Sequence, residues 1–187
     1  IRRTLALFFF ICGAALQAQT DDFAALYTRL ADHGFENLRI GATPDSGLAI
    51  AFENRLYRHD LRAAGEILRI ARIAVGLDIS RIKLTGGEPL MREDLCDIVK
   101  GIAIIPGLKD LSLSTNGSLL AFEAERLHNC GLRRVNISLP TLRPEAYAKL
   151  TGGNLQNTLN GVKAAVATGF NPVKLNMVVL NGINVDD

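Results

Sequence analysis

A glycine pair follows a short apolar stretch near the middle of the chain. Ile82 and Leu84 predict a strand, and Gly86 and Gly87 come just after it, followed by the acidic residue Glu88. Two adjacent glycines remove the side chains where the strand ends, so that a ligand can approach the backbone closely. In parallel α/β architectures, ligand sites concentrate at the carboxyl ends of strands. We therefore expect a binding site at this stretch.

The elements around this stretch alternate between strand and helix patterns from about residue 60 onward. Apolar stripes at helical spacing end at glycines, and short apolar runs lie between them. Such alternation predicts an α/β fold with a parallel sheet and right-handed crossovers. The expected strands are residues 82–84, 111–113, 135–139 and 173–180, and the expected helices are residues 61–75, 95–102, 120–127 and 155–166.

Composition places the chain among ordinary globular proteins. Hydrophobic residues make up 48% and charged residues 21% of the 187 positions, which excludes a disordered chain. A net charge of +2 gives no argument for nucleic acid or for an anionic membrane. All six lysines lie at Lys83 or later, whereas nine arginines lie at or before Arg72. This change of usage predicts two segments of different origin that meet near residues 60–80.

The amino-terminal residues have the layout of a secretory signal peptide. Arg2 and Arg3 precede the apolar run 5–16, which is too short to span a bilayer, and small residues follow up to Ala18. We expect residues 1–19 to be a signal peptide, which suggests export. The alternative is a buried amino-terminal strand or helix.

Residues 20–60 predict a small helix followed by a β-hairpin. Phe23, Leu26 and Leu30 have helical spacing, and Gly34 is a plausible stop. Two short strands, residues 37–43 and 48–54, flank a turn that contains proline and glycine. The two histidines of this part, His33 and His59, are interpreted as solvated. The expected domains are therefore residues 1–19, 20–60 and 61–187.

Several later motifs together resemble one enzyme family. RIKLTGGEPLMREDL, LSLSTNGSLL, VNISL, KLTGG and NPVKLNMVVLNGIN are similar, in order and spacing, to the radical S-adenosylmethionine (SAM) GTP 3′,8-cyclases that begin molybdenum-cofactor biosynthesis. The resemblance covers about residues 66–187 and does not extend to residues 1–60. It implies a partial (β/α) barrel, a TIM-type half barrel here preceded by the helix and hairpin. It also implies SAM and a [4Fe–4S] cluster as cofactors, GTP as substrate, and a cytoplasmic location that conflicts with the signal peptide.

The same resemblance assigns site residues. It places Lys83 where many members have an arginine, which keeps the charge and loses the bidentate geometry. Ser114 replaces the usual threonine and keeps a hydroxyl, whereas Pro140 stands where members usually have aspartate. Each position also has a plain structural interpretation, as a solvated strand end or a loop hydroxyl. The implied SAM contacts are Gly86, Gly87, Glu88, Pro89 and Ser138, and the implied substrate contacts are Lys83, Ser114 and Lys174.

The cluster-binding motif of the family is missing from the sequence. The family holds its cluster with C-x-x-x-C-x-x-C some tens of residues before the glycine pair, but the three cysteines here, Cys12, Cys96 and Cys130, do not have this spacing. A cluster needs thiolates that converge on one point. We therefore expect no metal ligand and no catalytic residue in this chain. The cysteines are interpreted as small buried hydrophobes, and their odd number predicts no disulfide framework.

Three interpretations of the function stay open at this point. The first is a cyclase-like core without its cluster, inactive as this chain. The second is a non-catalytic chimeric α/β module that binds a nucleotide, SAM or a protein partner. In the third, an exported protein acts through its hairpin segment. Nucleotide binding without iron favours the second, and processing after Ala18 favours the third. An oligomer or a partner is expected to cover the open sheet edges, with no nucleic acid and no membrane span.

Overall fold

The computed structural model describes residues 9–12, 20–42, 47–53, 69 and 81–185. Within these ranges the chain has seven strands, five α-helices and one short 3-10 helix. In chain order these are β1 (Phe9–Cys12), α1 (Thr20–Asp32), β2 (Glu36–Ala42), β3 (Gly47–Glu53), β4 (Arg81–Leu84), the 3-10 helix (Pro89–Met91), α2 (Leu95–Ala103), β5 (Asp110–Thr115), α3 (Leu120–Asn129), β6 (Arg134–Ser138), α4 (Pro144–Thr151), α5 (Leu155–Thr168) and β7 (Val173–Asn176).

The first of two compact units comprises residues 1–87 and 97–111. Its strands lie in the order β2-β3-β1-β4, and all of these pairings are antiparallel. The pairing of Ile40 with Ile50 confirms the predicted hairpin. Leu26 and Leu30 of α1 are fully buried, as is Ile50, and α1 is followed by Gly34 at φ 79°. The helical spacing in this segment was therefore interpreted correctly.

Strand β1 lies between β3 and β4 in this unit. Its four residues pair with residues 47–50 of β3, and Phe10 and Ile11 pair with Lys83 and Ile82 of β4. The sequence analysis expected this segment to belong to a signal peptide, with a buried strand as the alternative, and the structure has the strand. A short apolar run is compatible with a signal peptide and also with a strand, in which pairing on both sides satisfies its backbone groups.

The second compact unit comprises residues 88–96 and 112–187. Its strands β5, β6 and β7 are parallel and lie in that order, which confirms the expected α/β sheet with helical crossovers. Leu113, Val135 and Ile137 are fully buried, since alternate side chains of each strand point to the apolar face. Helices α3 and α5 pack against each other beside this sheet.

Glycine at position 161 allows α5 to approach the end of β5. A Cβ atom at Gly161 would lie 2.2 Å from the carbonyl oxygen of Gly117 and 3.1 Å from the Cβ of Leu120. The helix begins at Asn154, whose side-chain oxygen accepts a hydrogen bond from the backbone N–H of Gln156 (2.8 Å). The close approach at Gly161 fixes the distance between α5 and the loop that follows β5.

Two details differ from the expected elements. Helix α4 was not predicted, although Pro144 in its first turn and Gly152 at φ 70° after its end are typical of helix boundaries. Strand β7 ends at Asn176 rather than near residue 180, because the Asn184 side chain takes the backbone groups of residues 178 and 180. Of the expected helix over residues 61–75, only Arg69 is described, and it is helical; the remainder and His59 lie outside the described residues.

Two of the three cysteines are joined in the second unit. Cys96 at the start of α2 and Cys130 after α3 form a disulfide, with Cα atoms 5.8 Å apart, within the range that such a bond needs. Both residues are buried. The expectation that all three cysteines act as unpaired hydrophobes was wrong for this pair, since a separation of 34 residues gives no local sign of pairing.

None of the helices in the described ranges has the length and apolar character that a membrane crossing requires.

Removal of the amino-terminal strand tests whether it belongs to the folded protein. Deletion of residues 1–12 would strip the pairing partner from both β3 and β4, at a cost of ~3 kcal/mol from lost ladder hydrogen bonds. For a chain of this size that corresponds to a fall of about 6–12 °C in Tm, measured by circular dichroism. Deletion of residues 1–7 is the matched control and keeps the strand. An equal Tm for the two deletions would contradict this placement of β1.

Candidate functional site

The carboxylate of Glu88 is the point where several donors of the second unit converge. Its Oε1 atom accepts hydrogen bonds from the backbone N–H of Leu90 (3.1 Å) and the hydroxyl of Thr115 (2.6 Å). Its Oε2 atom accepts from the backbone N–H of Asn116 (2.7 Å). These bonds tie the glycine-rich loop, which leads into the 3-10 helix, to the carboxyl end of β5. The Glu88 side chain therefore positions the loop from within the protein.

The turn that follows β5 depends on Glu88 and on its own side chains. Thr115 Oγ1 also accepts from the backbone N–H of Gly117 (3.0 Å), and Asn116 Oδ1 accepts from the N–H of Ser118 (2.8 Å). Gly117 has φ 76°, and a Cβ atom there would lie 2.8 Å from Cγ2 of Ile137. The Thr-Asn-Gly sequence thus meets three separate demands of this turn: two side-chain acceptors and a residue that tolerates a positive φ.

Two buried hydroxyl groups support this turn from the side of α5. Thr158 Oγ1 donates to the carbonyl oxygen of Asn116 (3.0 Å) and lies 2.7 Å from the hydroxyl oxygen of Tyr147. Because Thr158 has a single proton, Tyr147 is the donor in the second bond. Thr158 is fully buried and Tyr147 is 3% exposed. The sequence analysis missed both residues; a threonine within the apolar stripe of α5 was the available sign.

The three parallel strands carry polar side chains on one face. Ser114 of β5 is in register with Asn136 of β6, which is in register with Lys174 of β7. Ser138 pairs with Asn176 two residues further along the same face. Ile137 has the opposite orientation, and its side chain lies beside Gly117 with that of Thr158. The polar face is therefore the one that points away from α5.

The predicted site residues fall into separate groups. Ser114, Ser138 and Lys174 share the polar face of the second unit; Ser138 and Lys174 are exposed and Ser114 is half-buried. Lys83 lies in β4 of the first unit and is half-buried there. Pro89, another of the predicted SAM contacts, is buried at the first position of the 3-10 helix.

The two glycines differ in exposure. Gly86 is half-buried and Gly87 is exposed, and a Cβ atom at Gly87 would have no other atom within 4 Å. The space beside Gly87 is therefore open, as an approaching ligand requires.

The loop after β6 is held by an asparagine that the sequence analysis did not single out. Asn184 is fully buried, and its Nδ2 group donates to the carbonyl oxygens of Pro140 (2.6 Å) and Val178 (2.8 Å). Arg143 in the same loop donates to the carbonyl oxygen of Ile183. Pro140 contributes its backbone oxygen to this arrangement.

The described side chains offer no group of metal ligands. Over residues 9–12, 20–42, 47–53, 69 and 81–185, no three histidine, cysteine, aspartate or glutamate side chains are grouped so that they could hold a metal ion. Cys96 and Cys130 are bonded to each other, which leaves Cys12 as the third cysteine of the sequence. The donor set does not fit an iron–sulfur cluster, which takes three or four thiolates at one point.

Comparison with known proteins gives matches over most of the chain. The family model described as "Radical SAM superfamily" matches residues 42–187. A GTP 3′,8-cyclase from Moorella thermoacetica is 47% identical over 129 residues, which is 68% of this chain and 40% of that protein. A probable GTP 3′,8-cyclase from Archaeoglobus fulgidus is 42% identical over 152 residues, 79% of this chain and 50% of that protein.

A more extended match reaches further toward the amino terminus. The GTP 3′,8-cyclase of Listeria monocytogenes serotype 4b is 36% identical over 176 residues, 92% of this chain and 51% of that protein. The chain thus spans about half the length, or less, of these curated relatives.

Substitution of Glu88 tests its role as a common acceptor. Glu88→Gln removes the charge and one acceptor oxygen, so one of the three donors loses its partner. We expect a loss of about 1–3 kcal/mol in the free energy of unfolding, measured by urea titration. In a double-mutant cycle with Thr115→Val, the two substitutions should show an interaction free energy of about 1 kcal/mol. Glu93→Gln, at an exposed position, is the control, and equal stability of the two glutamine variants would contradict the role.

Proposed function

The chain belongs to the radical SAM superfamily, and from this premise we propose that it carries the SAM-contact and nucleotide-contact part of a GTP 3′,8-cyclase. The matched region begins at residue 42, so the family identification is confirmed and its expected limit near residue 66 is corrected toward the amino terminus. The observation that supports the proposal most strongly is the polar face of β5, β6 and β7. Ser114, Ser138 and Lys174, which were singled out separately along the sequence, lie together on it.

The nucleotide part of the proposal rests on the chemistry of one row of residues. Lys174 offers a cation at the exposed end of the row and Ser114 offers a hydroxyl at the other end. An ammonium group is suited to the charge of a phosphate, and a hydroxyl can donate to or accept from sugar or base atoms. Lys83, on β4 of the first unit, stays a predicted substrate contact on the strength of the family pattern alone.

The SAM part of the proposal rests on the glycine-rich loop. Gly87 faces open space, so its backbone groups are accessible to the methionine moiety. Ser138, which is exposed in the second unit, stays a predicted SAM contact on the strength of the resemblance. Glu88 and Pro89 would act by holding the loop in place. In the family, SAM and a [4Fe–4S] cluster supply the radical chemistry when bound.

The cluster is the part of the family chemistry for which this chain lacks residues. Its sequence has no C-x-x-x-C-x-x-C, and two of its three cysteines are joined. We propose that the chain binds its small-molecule ligands and forms no radical by itself. The interpretation that residues 20–60 are of foreign origin is corrected for residues 42–60, which lie within the family match. For residues 20–41, and so for the chimera, it stays a prediction.

The family resemblance implies a cytoplasmic location for this chain, whereas a signal peptide would imply export. In a cytoplasmic setting, thiol reductants would keep Cys96 and Cys130 as a dithiol, whereas export would preserve the disulfide. The redox state of this pair in freshly lysed cells therefore separates the two locations.

Exposed apolar side chains lie on and after β7, at Leu175, Val178 and Val179. They support a partner or a second copy at that edge of the sheet.

Anaerobic reconstitution with iron and sulfide tests the claim about the cluster. We expect far less than one iron per chain by colorimetric iron quantitation, and no visible absorption band that responds to SAM. A cyclase from one of the relatives, treated in parallel, is the positive control. Four irons per chain with a SAM-sensitive spectrum would contradict the claim.

Isothermal titration with GTP tests the nucleotide site in the absence of iron. Lys174→Ala should weaken GTP binding about tenfold at low salt, since a hydrogen bond to a charged group is lost. Lys163→Ala, an exposed lysine on α5, is the matched control and should bind GTP as tightly as the parent chain. If the parent chain fails to bind GTP, or if both variants bind equally, the nucleotide site is refuted.

A further inference from the structure

A buried amide lies in the middle of the polar row. Asn136 is 7% exposed and is in register with Ser114 on one side and Lys174 on the other. Among the described residues its side chain has no hydrogen-bond partner, and its amide atoms are not among the fully buried polar atoms that lack one, so they remain open to the polar face. Other deeply buried polar side chains of this unit have such partners: Thr158 bonds to the Asn116 carbonyl, and Asn184 makes three bonds.

An amide in this position has hydrogen-bonding groups that the described residues leave available. A carboxamide can donate two hydrogen bonds and accept two, and a ligand that covers it must replace the bonds to water or lose about 1–3 kcal/mol. A residue selected only for packing between Val135 and Ile137 would be apolar or would have an internal partner, as Thr158 does. The Asn136 amide is therefore available to a ligand that enters the polar face.

The orientation of Asn136 defines where that partner binds. Side chains alternate along a strand, and Ile137 points toward Gly117 and Thr158 on the α5 side. Asn136 consequently points to the polar face, between a hydroxyl and a cation. Because the row offers one charged group and two neutral ones, its ligand should have both charged and neutral polar groups.

We propose that Asn136 is a further nucleotide-contact residue, and that its carboxamide bonds to an uncharged polar group of GTP while Lys174 meets the charged part. This inference rests on the proposed function and adds a residue to its site. It assigns Asn136 to ligand recognition and gives it no part in holding the sheet together.

The decisive variant is Asn136→Leu, which replaces the amide with an apolar side chain of similar size. Removal of a buried amide without a protein partner should leave the Tm of the free chain unchanged or raise it. GTP binding by isothermal titration should weaken about tenfold, because a hydrogen bond to the ligand is lost. Asn157→Leu, at an exposed position on α5, is the matched control and should leave GTP binding unchanged.

Salt dependence separates the two members of the row. The effect of Lys174→Ala should shrink as salt rises, since charge interactions are screened, whereas the effect of Asn136→Leu should stay constant. A lower Tm for Asn136→Leu with GTP affinity equal to that of the parent would overturn the inference and show a structural amide. If the parent binds GTP and only Lys174→Ala weakens it, the proposed function stands and this inference fails. If the parent binds no GTP, both fail.

Discussion

The three hydrogen bonds to the Glu88 carboxylate are the interaction on which the arrangement of the site depends. The glycine-rich loop contributes few side chains of its own, so its conformation must be imposed from outside. A carboxylate with two oxygens and several acceptor positions can satisfy backbone and hydroxyl donors together, and here it joins residues 27 and 28 positions apart in sequence. The Glu88 carboxylate thereby limits the conformational freedom of the two glycines that precede it.

Support for this carboxylate continues through the turn after β5. The backbone N–H of Asn116 donates to Glu88, and the carbonyl oxygen of Asn116 accepts from Thr158. A charged acceptor and a buried hydroxyl therefore hold two successive peptide groups of this turn. Gly161 permits the helix that carries Thr158 to come close enough for this bond. A rigid scaffold of this kind places strand ends accurately, which is what a binding face made of several strands requires.

Local patterns in the sequence predicted most of the fold but few contacts of the site. Alternating apolar runs and glycine stops gave the hairpin, the parallel strands β5 and β6 and the helices α1, α3 and α5, since each is set by nearby residues. The bonds of Glu88 and the pairing of Cys96 with Cys130 join distant residues, so spacing alone could not show them. The apolar run that contains β1 suits a signal peptide and a buried strand equally well. Asn136 became informative only when the register showed which face it occupies.

The alternation of polar and apolar residues in β6 restricts how this strand can change during evolution. Val135 and Ile137 fill the core while Asn136 and Ser138 belong to the opposite face, and a strand has a side-chain period of two. Replacement of any one residue alters a single position. Insertion or deletion of one residue would exchange the faces. The Asn136 amide and the Ser138 hydroxyl would then point into the core, and the aliphatic side chains would point out of it. Length changes in this part of the family should therefore be confined to the loops, and the strand should vary by substitution alone.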